Sequence, residues 1–119
     1  MRAFCLAVLL IFASSVAWAE ERALTVEVGY LIDSVSESGC KFVRNGKEHT
    51  ASEAADHLRM KAKRGKRYYD TTEEFIDRIA SKSSWSGKPY TIQCGDKPAV
   101  TAGDWFTRML TEYREKLPE

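Results

Sequence analysis

The chain predicts an α+β fold, a small three-stranded antiparallel sheet covered by about four helices and stapled by one disulfide. Three observations predict it. Asn45-Gly46 sits between two short runs and reads as a tight hairpin turn, because both central positions of such a turn take positive φ. Thr50-Ala51-Ser52-Glu53 and Thr71-Thr72-Glu73-Glu74 have the capping-box pattern that opens a helix. Cys40 and Cys94 are the two cysteines outside the N-terminal apolar run. An even pair in an oxidising compartment reads as a disulfide.

That compartment is argued from residues 1–19. Arg2 supplies a positive charge, residues 3–13 are almost wholly apolar, and Ala17-Trp18-Ala19 has the small-x-small pattern of a cleavage site. This is the pattern of a secretory signal peptide. The apolar run is shorter than the roughly 20 residues needed to span a bilayer, so no stable membrane anchor is expected. Cys5 lies early in the run, which argues against a lipid-modified N-terminal cysteine. Residues 20–119 then form a single domain. Removal of Arg2 takes the 18 basic side chains to 17, equal to the 17 acidic ones. With that balance no global field draws the protein to nucleic acid or anionic lipid.

Residues 20–38 carry Leu24, Val28, Leu31, Ile32 and Val35, a helical stripe. Leu24, Val26, Val28 and Tyr30 also alternate as a strand would, but the stripe extends to Val35 and favours helix. Glu20 and Glu21 suit its N-terminal dipole, and Gly39 is a natural stop. Residues 40–50 form the hairpin, with Arg44 opposite Lys47, Val43 opposite Glu48, and Phe42 opposite His49 as a cross-strand aromatic pair. The second helix runs from the Thr50 cap to about Gly65, with Ala54, Leu58, Met60 and Ala62 as its apolar residues. Lys61, Lys63 and Arg64 lie near its C-terminus, where cations are favoured. The third helix opens at residues 70–74 and buries Phe75, Ile76, Ile79 and Ala80. Residues 81–87 are a serine-rich polar loop interrupted by Trp85. Residues 89–94 alternate as a strand, ended by Gly95-Asp96-Lys97-Pro98. The last helix spans residues 104–117, with Trp105, Phe106, Met109, Leu110, Tyr113 and Leu117 on one side.

One pairing joins these pieces. With Cys40 opposite Cys94 in antiparallel strands, Phe42 meets Ile92 and Arg44 meets Tyr90. Cys40, Phe42, Tyr90, Ile92 and Cys94 then share one parity and one face. The Cys40 strand lies in the middle, and helices bury the disulfide on the apolar face. The bridge closes a loop of about 55 residues, for which chain entropy predicts roughly 4 kcal/mol of stabilisation. Neither cysteine has a CxxC partner or a nearby Cys/His pair, so metal ligation and a reactive thiol are the weaker readings.

Several motifs recur together in one set of proteins. They are Ser38-Gly39-Cys40-x-Phe42-x-Arg44-Asn45-Gly46, Glu53-Ala54-x-x-His57-Leu58-x-x-Lys61, Phe75-Ile76, Ala80-Ser81-x-Ser83-Ser84-x-Ser86-Gly87-Lys88-Pro89-Tyr90, and Trp105 with Tyr113-Arg114. On these residues the chain resembles the YfeK-like family of small secreted bacterial proteins of unknown function, over residues 30–114. The resemblance implies an exported, periplasmic bacterial protein and brings no activity, ligand or catalytic residue. The family pattern more often has tyrosine where this chain has His49, which weakens any chemistry built on His49.

Two constellations compete for function. Arg44, Asn45, His57 and Lys61, with the serine loop, can converge on a polar groove suited to an anionic or glycan ligand, since arginine offers a planar fork to carboxylates and phosphates. Their structural alternative is a turn, an Arg44–Tyr90 stack and a self-capped loop. His49, Glu53 and His57 are spaced by four and suggest metal or acid–base chemistry, but Glu53 is wanted by the capping box. No P-loop, dinucleotide fingerprint, calcium loop or GxSxG elbow is present. The basic run at residues 61–69 reads as a solvated helix end or a contact for an acidic envelope polymer. The reading is therefore a non-enzymatic binding or interaction module of the cell envelope. It has no assigned catalytic residue, metal or cofactor, and its partner is an unidentified envelope component or protein rather than nucleic acid. The alternative is a small hydrolase or metal-binding enzyme using His57 and Glu53.

Overall fold

The computed structural model describes the backbone of residues 4–118 and the side chains of residues 16–118. Residues 1–3, and the side chains of the apolar run in the expected signal peptide, lie outside that description. Helix α1 spans Phe4–Ser38 and ends at Gly39, whose φ of +66° a residue with a Cβ rarely adopts. Its stripe is the expected one: Leu31 and Val35 are fully buried, Val28 and Ile32 nearly so, and Leu24 packs at the edge. Among the described residues, no helix is long and apolar enough to cross a membrane.

Strands β1 (Lys41–Arg44) and β2 (Lys47–His49) form the hairpin around Asn45 (φ 51°) and Gly46 (φ 78°). The register is Phe42↔His49, Val43↔Glu48 and Arg44↔Lys47, as the turn requires. Helix α2 (Ala51–Arg64) opens with the complete capping box: Glu53 N–H donates to Thr50 Oγ1 and Thr50 N–H donates to Glu53 Oε1. Ala51, Ala54, Ala55 and Leu58 form its buried side, whereas Met60 turns outward.

A short 3₁₀ turn (Lys66–Tyr68) leads to α3 (Thr72–Phe75), which widens into a π-helical turn at Ile76–Ala80. Phe75, Ile76, Ile79 and Ala80 are all buried along it. The α3 cap differs from the simple box: Thr71 accepts from Glu74 N–H, but Glu74 accepts from Asp70 N–H, one residue further back.

The sheet has four strands rather than three, in the order β2-β1-β3-β4. Strand β3 (Thr91–Gln93) pairs antiparallel with β1 through Phe42↔Ile92. The added edge strand is β4 (Val100–Thr101), paired through Ile92↔Val100. Two exposed residues are too short a run to show alternation in sequence. Helix α4 (Ala102–Glu115) follows directly, two residues earlier than the expected start at Asp104, because Thr101 ends the strand and caps the helix by accepting from Asp104 N–H.

Cys40 and Cys94 are bonded, their Cα atoms 4.4 Å apart. Cys40, Phe42, Tyr90 and Ile92 are buried on the face that parity assigned them, and Cys94 lies at its margin. Helix α2 lies against β1, and α4 against β3 and β4. Phe106, fully buried on α4, meets Phe42 at 6.4 Å between ring centroids. The expected Phe42–His49 aromatic pair is a backbone pairing only, because Phe42 turns into the core and His49 turns toward Arg44.

Candidate functional site

The groove between the hairpin end, α2 and the serine loop encloses about 910 Å³. Arg44, Asn45, His57 and Lys61 all line it. The sheet register sets this convergence. Arg44 ends β1 beside the turn, while His57 and Lys61 are four residues apart on one face of α2. The opposite wall is the serine loop, with Lys82, Ser83, Ser84 and Trp85.

Arg44 is held by histidines and, among the described residues, has no carboxylate partner. Its Nη1 lies 2.9 Å from His57 Nδ1 and 2.7 Å from Nε2, and its Nη2 lies 3.3 Å from His49 Nε2. Arginine has only donors, so it donates to whichever ring nitrogen carries a lone pair, which requires a neutral His57. The electrostatics agree. Burial, then the charges of Arg44, Lys61 and His49, push His57 down to about 4.

Lys61 reaches across the groove. Its Nζ donates to the Lys82 carbonyl at 2.9 Å and to the Tyr90 hydroxyl at 3.0 Å, and lies 4.9 Å from the Tyr90 ring centroid. Lysine, not Arg44, therefore occupies the tyrosine face; Arg44 is turned away toward the histidines. Burial and then the Arg44 charge lower Lys61 to about 8. Burial raises the Tyr90 hydroxyl, against the opposing pull of Arg44.

The loop is built around Ser83, which is buried. Its hydroxyl accepts from the backbone N–H of Trp85 and Ser86 and from Asn45 Nδ2, at 3.2–3.3 Å. Ser86 Oγ donates back to Asn45 Oδ1 at 2.6 Å. Asn45 thus clamps the loop to the hairpin with both ends of its amide while lining the groove. Backbone bonds from Ser83 to Lys88 and from Tyr90 to Ser81 close the loop's base. Clamped this way, the loop presents Trp85 94% exposed. In sequence Trp85 reads as an interruption of a polar loop; the Asn45–Ser83–Ser86 network that makes it a groove wall has no local sequence signature.

The competing triad does not assemble. Glu53 is occupied at the helix cap, and its Thr50 N–H bond holds it below the usual carboxylate range. His49, Glu53 and His57 together border a water-sized recess of about 10 Å³, and of the three it is His57 that also lines the groove. Among the described residues, no three His, Cys, Asp or Glu side chains are grouped to hold a metal ion.

Comparisons with known proteins agree with this architecture in extent. Residues 22–114 match DUF5329, described as a family of unknown function. The chain is 36% identical over 92 residues to a Salmonella typhimurium protein named "Uncharacterized protein YfeK", covering 76% of this chain and 77% of that relative. No solved structure matches.

Proposed function

The chain belongs to the DUF5329 family of unknown function, and from that footing we propose that it is a secreted, periplasmic binding module of the cell envelope that acts without catalysis. The observation that carries the reading is the groove itself. Four side chains singled out by residue type, Arg44, Asn45, His57 and Lys61, line one open concavity of a size that small ligands occupy.

Secretion has two supports. The Cys40–Cys94 disulfide is compatible with an oxidising, extracytoplasmic compartment. Every described side chain from Val16 to Ala23 is exposed, so cleavage after Ala19 would remove no described core contact. The enzyme alternative draws no comparable support, because Glu53 and His57 are each engaged elsewhere.

The test is a binding screen of the purified protein against envelope glycans, lipids and peptides, run in parallel with Lys61→Gln. A retained component whose binding weakens in the variant supports the reading. Binding that ignores the substitution, or no retained component, removes it. The localisation is checked by cell fractionation and by the N-terminal residue of the exported protein, expected to be Glu20.

A further inference from the structure

We infer that the groove takes an acidic saccharide, its anionic group bound between Arg44 and Lys61 and a sugar ring stacked on Trp85. This rests on the groove-binding reading and names its ligand class.

The anionic end follows from uncompensated charge. Among the described residues, the groove wall contains Arg44, Lys61, Arg64, Arg78 and Lys82 and no Asp or Glu. Arg78 is neutralised by Glu74 at 2.8 Å, whereas Arg44, Lys61, Arg64 and Lys82 have no carboxylate within salt-bridge distance. Arg44 and Lys61 are also the partly buried ones. Both line the groove, where burial first and then the Arg44 charge lower Lys61 to about 8. A carboxylate there relieves that repulsion and accepts charge-assisted hydrogen bonds. Neutral His57 adds no third charge but fixes the Arg44 fork in place.

The ring end follows from Trp85. Its indole is almost wholly solvated, yet the loop that carries it is hydrogen-bonded at Ser83, Trp85, Ser86, Gly87 and Lys88 and clamped by Asn45. An apolar ring held in water on an ordered loop is a preformed stacking surface, and its ordering entropy is already met before binding. The apolar C–H face of a pyranose fits such a surface, with its hydroxyls directed to the polar wall at Ser84 and Lys82. A nucleic acid is disfavoured because residues 20–119 carry 17 basic and 17 acidic side chains and so no global positive field.

Isothermal titration of the purified protein with trigalacturonate, its fully methyl-esterified form and inorganic phosphate tests this. Trigalacturonate is expected to bind, with the ester at least tenfold weaker. Lys61→Gln is expected to weaken the acid at least tenfold. Trp85→Ala is expected to weaken it severalfold while leaving phosphate unchanged, and melting temperatures confirm that both variants fold. In the complex, the NMR titration of His57 is expected to move up toward its ordinary value. Equal binding of acid and ester overturns the anionic requirement but leaves a groove that binds neutral sugars. Phosphate binding as tightly as trigalacturonate, with Trp85→Ala silent, overturns the saccharide and leaves a bare anion site. No binding by any probe overturns the inference. The broader reading is then judged separately, by whether the envelope screen retains a component through Lys61.

Discussion

At the scale of single residues, the defining feature is an arginine held against the imidazole of His57. His57 has an ordinary value of 6.5 and is lowered to about 4 in the folded protein. Between those limits the unfolded chain binds more protons than the folded one, so stability falls as pH falls through that window. Urea midpoints at pH 7 and pH 4.5 are expected to show the loss, and His57→Gln is expected to flatten it. Lys61 obeys the same rule in its own range. Its folded value of about 8 lies below the ordinary 10.5, so its contribution to stability rises with pH between them. Arg44, Asn45, His57 and Lys61 were grouped in sequence as residues that can converge, and the structure lines one groove with them. Their individual roles were less legible, because an amide that clamps a loop and one that binds a ligand look the same in sequence.

At the scale of elements, boundaries with local chemical causes were legible. The Asn45-Gly46 turn set the hairpin register, and the Thr50 box opened α2 where expected. Elements whose cause is tertiary were not. Strand β4 exists because β3 offers an edge and Thr101 leads straight into a cap. The π-helical turn at Ile76–Ala80 leaves the same buried residues as an α-helix would, so periodicity cannot reveal it. The junction of α2 with that turn carries a sharp prediction. A Cβ on Gly65 would lie 2.7 Å from Ile79 Cδ1 and 3.0 Å from the Lys61 carbonyl oxygen. Gly65→Ala is expected to destabilise the protein by about 1–3 kcal/mol through overpacking, measured by denaturant unfolding. Thr101→Ala is expected to cost about 1 kcal/mol by removing the α4 cap.

At the scale of the whole molecule, two long-range ties hold the layers. The Cys40–Cys94 bridge joins β1 to the end of β3 across 54 positions. Replacing both cysteines with alanine is expected to lower stability by roughly 4 kcal/mol on the chain-entropy account, read as a lower urea midpoint under non-reducing conditions. The second tie is polar. Arg114 on α4 donates through Nε to Glu27 of α1 at 2.7 Å and also bonds Glu73 of α3, while Thr72 donates to Glu27 at 2.7 Å. These bonds, Arg114 first, hold Glu27 below the usual carboxylate range. That stabilisation is present above pH 4.5 and is lost as pH falls below it. Arg114→Leu is expected to cost on the order of 1 kcal/mol at pH 7, because the pair is partly solvated. Its melting temperature should approach that of the parent protein in acid.

By itself the sequence determined what local chemistry controls: the α1 stripe, the hairpin register, the α2 capping box and the shared parity that brought Cys40 to Cys94. Each depends on residues within a turn of one another, or on a period of two carried along paired strands. Only the tertiary structure decided that Lys61 rather than Arg44 covers Tyr90, that His57 is neutral, and that Asn45 holds Trp85 out in water. Those outcomes depend on distances between elements far apart in the chain, where burial and neighbouring charge act together and no sequence interval encodes them.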